Sequence, residues 1–77
     1  MLAIIAGNRR EAEFYRKTLR LPPREVRHIH SLQDLAGLPK DTIYVKVGSW
    51  YALKDIDEID SYLLARGAVE VFSTERR

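Results

Sequence analysis

Leu2-Ala3-Ile4-Ile5-Ala6-Gly7-Asn8-Arg9-Arg10-Glu11-Ala12-Glu13 passes from an unbroken apolar run through a glycine into a charged, helix-periodic segment. That order is how a strand buried on both faces of a parallel sheet feeds a helix in α/β proteins. The junction places free backbone N–H groups at a helix N-terminus, a place where anions bind. Asn8 is a natural N-cap, and Glu11 stands three residues later in the capping-box position.

Outward from this junction the same alternation continues. A helix is expected over residues 9–19, with Ala12, Tyr15 and Leu19 toward the sheet. Arg9, Arg10, Glu13, Arg16, Lys17 and Arg20 then face water. Pro22-Pro23 stops the helix, because proline lacks an N–H and restricts its predecessor. Residues 25–30 read as a second strand with Val26, His28 and His30 on one face and Arg27 and Ile29 on the other. Its many polar side chains assign it to a sheet edge. Ser31 and Asp34 have capping-box spacing at the start of a short helix that Gly37 and Pro39 end.

Residues 42–47, rich in β-branched side chains, form a third and central strand, followed by the loop Gly48-Ser49-Trp50-Tyr51. A second long helix begins at about Leu53 or Asp55 and runs to Arg66. Ile56, Ile59 and Leu63 make its buried stripe, with Leu64 at the border. Asp57, Glu58 and Asp60 near its start suit the helix dipole, and Gly67 suits the C′ position. Residues 68–72 are a fourth strand, and residues 73–77 a short polar tail.

This order implies a parallel sheet with right-handed crossovers. The expected architecture is a single minimal Rossmann-like α/β domain over residues 1–77, with strand order 2-1-3-4 and helices on both faces. The basic first helix lies on one face and the acidic second long helix on the other. Strand order reverses between the first and third strands, and ligands of open α/β sheets bind at such a switch point. Gly7, Asn8, Arg9 and Arg10 meet Gly48, Ser49, Trp50 and Tyr51 there, which makes these eight the candidate site for a phosphate or nucleotide. Neither a dinucleotide fingerprint nor a P-loop is present, so Gly7 as a tight turn and Asn8 as a cap explain the segment with fewer assumptions.

Composition narrows the remaining classes. Seventy-seven residues with 45% hydrophobic side chains suffice for one small core, and the absence of cysteine removes disulfides and thiolate metal sites. Self-association is one way such a core gains support. No apolar run approaches the roughly 20 residues of a membrane span, and no basic segment precedes the first apolar run as in a signal peptide. A soluble, cytoplasmic protein is expected. Residues 1–27 carry seven basic and three acidic side chains, residues 28–77 six and eight, so the net charge of +2 hides a polarity.

Other residue clusters have plainer explanations. His28 and His30 share a strand face, but two histidines do not complete a zinc site. No metal and no cofactor is therefore expected. Asp55, Asp57, Glu58 and Asp60 are explained by capping and dipole complementarity rather than acid–base chemistry. Arg16, Lys17 and Arg20 can contact nucleic-acid phosphates, yet Glu11 and Glu13 dilute the patch and no nucleic-acid-binding motif accompanies it. Trp50 is either a core residue or, beside Tyr51, an interface anchor.

The segments IIAGNRREAEFYRKTLRLPP, IHSLQDLAGLP, TIYVKVGSWY and IDEIDSYLLARGAVEV cover nearly the whole chain. Through them it resembles the short Rossmann-like orphan proteins of actinobacterial bacteriophages. The resemblance implies an accessory protein in the bacterial host cytoplasm that binds a host or phage component, and it carries over no catalytic residue. The expected function is non-enzymatic and mediated by protein–protein contacts, as a homo-oligomer. The edge Val69, Glu70, Val71 and Phe72 is the pairing surface, since an unpaired strand invites another. Nucleotide binding at the switch point and nonspecific nucleic-acid binding by the first helix are the alternatives.

Overall fold

Leu2–Ala6 carries no polar side chain, so it is stable only with both faces covered and both edges paired. The computed structural model, which describes residues 1–74, puts it in that position. The elements are β1 (Leu2–Ala6), α1 (Arg9–Thr18), β2 (Val26–Ile29), β3 (Ile43–Val47), α2 (Ile56–Ala65) and β4 (Val69–Ser73), with 3₁₀ turns at Leu32–Leu35 and Trp50–Ala52. All strand pairs are parallel, in the order β2-β1-β3-β4. The sheet is a small α/β, Rossmann-like one, as the element order requires. Of the expected tail, Ser73 ends β4, while residues 75–77 lie outside the described residues.

Strand periodicity divides the core in two. Ala3, Ile5, Ile29 and Tyr44 pack against Ile56, Ile59 and Leu63 of α2 and against Leu35, Leu38 and Trp50. Ile4, Ala6, Val45 and Val47 pack against Ala12 of α1, with Tyr15, Leu21 and Val26 around them. The helices thus cover opposite faces, and each charged helix exterior is turned away from the other. Trp50 belongs to the α2-side core, only 8% exposed.

Three side chains sit differently from expectation. Leu19 is the C-cap of α1 and is exposed, because the helix stops at Thr18 and Arg20 turns the chain through a positive φ of 57°. The turn directs Leu21 into the α1-side core in its place. Arg16 is not in water: its guanidinium donates to the Leu21 carbonyl at 3.0 Å and pairs with Glu13. Leu64 does not border the core but stands 80% exposed, one residue or about 100° beyond Leu63 on the helix.

β3 and β4 are paired with a register shift between Tyr44 and Val45, so Glu70 lies opposite Tyr44 and Phe72 opposite Val45. Val71 is the extra residue of this bulge, which increases local twist. Every residue of β4 is exposed. The face covered by α1 ends at β3, leaving Ile43, Val69 and Phe72 bare beyond it.

Packing of this kind sets a contrast within α2. Ile59→Ala should lower unfolding free energy by about 2–5 kcal/mol, whereas Leu64→Ala should change it by less than about 0.5 kcal/mol. Denaturant unfolding of the two variants measures the difference.

Candidate functional site

The carboxyl ends of β1 and β3 bring Gly7, Asn8, Arg9, Arg10, Gly48, Ser49, Trp50 and Tyr51 to one end of the sheet. Asn8 caps α1 by accepting the Glu11 N–H at 2.9 Å. The Glu11 carboxylate does not return to the cap residue, as a capping box would have it. Its Oε1 accepts the Gly7 N–H at 3.1 Å, the Ser49 N–H at 3.0 Å and the Ser49 hydroxyl at 2.8 Å. The same hydroxyl lies 3.0 Å from Oε2.

The donors that a bound phosphate would need are therefore held by an anion of the chain itself. Both glycines make room for it. A Cβ on Gly7 would meet Ser49 Oγ and Glu11 Oε1, and one on Gly48 would meet the Glu11 carboxylate carbon at 2.7 Å. Gly48 also has a φ of 60°, which disfavours any side chain. Partial burial pushes the Glu11 carboxyl up, but the donors of Ser49 and Gly7 outweigh this and hold its pKa below the usual value.

Arg9 and Arg10 stand exposed at the rim. The aromatic pair does not offer an open stacking wall. Trp50 is buried with its Nε1–H donated to the Thr74 carbonyl at 3.1 Å, and half-buried Tyr51 meets it edge-on at 5.8 Å.

A second polar constellation was not anticipated from the sequence. Lys46, 9% exposed, points from β3 to the α2 side, with Nζ 2.6 Å from Asp60 Oδ1, 3.3 Å from Glu70 Oε1 and 4.7 Å from the Trp50 ring centre. Burial acts to lower its pKa, yet the two carboxylates raise it above the ordinary lysine value. Lys46 is thus held as a cation by Asp60 and Glu70 and cross-links β3, β4 and α2. One signal for it stood in the sequence, namely a charge at a core-facing position of an otherwise apolar strand.

At the β2 edge, the His28 and His30 rings lie 5.1 Å apart, and Asp34 pairs with His30 Nδ1 at 3.1 Å. Asp34 also accepts the N–H groups of His30 and Ser31. No group of three or more metal-ligating side chains suited to an ion occurs among the described residues. His28 Nε2 is buried without a hydrogen-bond partner among them. Burial lowers its pKa and His30 adds to the shift, while Asp34 and the Ala6 carbonyl oppose it.

The basic patch of the first helix is divided. Arg16 is engaged by Glu13 and the Leu21 carbonyl, whereas Lys17 and Arg20 remain exposed. A cleft of about 740 Å³ opens at the far end of the sheet, between Leu2, Val26 and Ile43, away from the switch point. No helix among the described residues is long and apolar enough to cross a membrane. No protein-family model, curated protein or solved structure matches the chain.

Replacing Glu11 by Ala should cost about 1.5–3 kcal/mol, since it leaves two backbone donors and a hydroxyl to water alone. Thermal unfolding of the variant measures this.

Acidification should act in two stages. A lowered His28 pKa means that the folded chain binds fewer protons than the unfolded one, so stability is complete above the ordinary imidazole value of 6.5 and falls as pH drops from there. The Glu11 contribution is complete above 4.5 and is lost as pH falls through its lowered pKa. Unfolding free energy followed against pH should lose only the first stage in His28→Gln.

Proposed function

We propose that this protein is a non-enzymatic binding module of the cytoplasm that acts through protein–protein contacts and self-associates along the outer edge of β4. The observation that carries the reading is β4 itself. Among the described residues it has a neighbour on one side only, is exposed along all five of its own residues, and presents Val69, Val71 and Phe72 beside a backbone edge that none of them pairs. An edge of this kind is a template for another strand, and monomeric proteins usually blunt it with charge or proline. Here Glu70, the one charged residue of the strand, is drawn toward Lys46.

The state of the switch point supports the same reading from the other side. With Glu11 on the Gly7 and Ser49 donors, a nucleotide would have to displace a carboxylate already hydrogen-bonded there. Nonspecific nucleic-acid binding loses Arg16 to an internal contact. The resemblance to actinobacteriophage accessory proteins extends the proposal to a host or phage protein as the further partner, adding a strand to the same edge.

Val71→Lys places a charge in the middle of the edge. Sedimentation equilibrium should show wild-type self-association weakened by at least about tenfold in this variant, with its unfolding curve little changed. A wild-type chain that is monomeric at millimolar concentration, or a variant that associates equally well, would overturn the proposal.

A further inference from the structure

The helices turn opposite charges to opposite faces of the molecule. On α1, Arg10, Phe14 and Lys17 stand at i, i+4 and i+7, share the outer stripe and are all exposed. On α2, Asp57, Ser61 and Leu64 repeat this spacing, with Glu58 beside them, and all four are exposed. Each stripe keeps one large apolar side chain in water, Phe14 at 61% and Leu64 at 80% exposure.

None of Arg10, Lys17, Asp57 and Glu58 takes part in an ion pair among the described residues. The charges inside the molecule are matched separately, Arg16 by Glu13 and Lys46 by Asp60 and Glu70. Because α1 and α2 cover opposite faces of the sheet, one copy cannot bring its two stripes together. Two copies can.

We infer that copies of this chain stack head-to-tail, the α2 stripe of one copy lying on the α1 stripe of the next. With the two helices running parallel, Leu64 covers Phe14 and Asp57 and Glu58, about 10 Å before Leu64 along the axis, come over Arg10, while Lys17 lies beyond Leu64 at the C-terminal end of α2. This inference rests on the reading of the protein as self-associating, but it uses a different surface from the β4 edge. A contact between two unlike patches is heterologous, so a pair of copies keeps one free stripe at each of its two ends and stacking continues. A single helix-on-helix contact is at the small end of specific interfaces. Its exposed charges make it sensitive to salt, which screens them within about 10 Å at 0.1 M.

Light scattering and sedimentation of the full chain test this with complementary charge reversals. One variant carries Arg10→Glu and Lys17→Glu, the other Asp57→Lys and Glu58→Lys. Each alone should associate at least about tenfold more weakly than wild type, and an equimolar mixture should recover association, because each reversed stripe then meets its opposite. Wild-type association should also weaken at about 0.5 M salt, a measurement that needs no substitution. Reversed variants that associate like wild type, a mixture that fails to recover, or salt-independent association would overturn the stacking. Val71→Lys separates the two surfaces. If it abolishes association while the reversals change nothing, the β4 edge stands and the stacking falls. If the reversals act with recovery on mixing while Val71→Lys is silent, the stacking stands and the edge reading falls.

Discussion

A single carboxylate holds the centre of this molecule together. Glu11 lies in the first turn of α1, yet its oxygens take donors from the end of β1 and from a residue 38 positions further along, after β3. The two central strands and the first helix are thereby joined at one point. Much local sequence follows from that contact. Position 7 has to be glycine because Ser49 and Glu11 occupy the space of a side chain, and position 48 because the carboxylate sits against it. Ser49 in turn sets the place of the next residue, Trp50, on the opposite core.

Lys46 performs the reciprocal task. It leaves the same strand toward the other face and ties β3 to α2 through Asp60 and to β4 through Glu70. Each helix is therefore fastened to β3 by one charged contact, an anion from α1 and a cation toward α2. Apolar packing alone would let a helix slide along a flat strand surface. Directional contacts with charged groups restrict such sliding more sharply than dispersion does. In a domain without disulfides, these two contacts supply registration that the small core lacks.

The architecture was readable in the sequence because it rests on local signals. Glycine and proline punctuation, the Asn8 cap and the apolar run of residues 2–6 each act over a few positions, and together they define the order of the elements. The 2-1-3-4 order is one of the few that right-handed crossovers allow, and it is the one that puts the two long helices on opposite faces. The site was legible only as a location. Gly7 and Ser49 were expected to meet, but what lies between them depends on which way one glutamate rotates, and Glu11 had an equally good local explanation as a capping residue. Lys46, Asp60 and Glu70 meet through contacts of three separate elements, which no local pattern encodes. Leu19 and Leu64 illustrate the converse. Helical spacing counts them near the buried stripe, whereas the position of the helix end and the width of the stripe put them in water.

The place of β1 between β2 and β3 also bears on how the chain reaches its structure. During synthesis, the first 30 residues can bring together only β1, α1 and β2, an open pair of parallel strands with an apolar strand uncovered along one edge. The missing neighbour is β3, and no hairpin can supply a local substitute, because every pairing in the sheet is parallel. Loops must therefore close before any strand is fully protected, which slows folding relative to a helical bundle of the same length. Within those residues Ile4 already meets α1, whereas Ile5 lacks the α2 side of its core, and the Glu11 latch cannot engage until Ser49 has left the ribosome. For this fold, the order of emergence makes residue 49 the point at which the N-terminal half ceases to be an exposed edge.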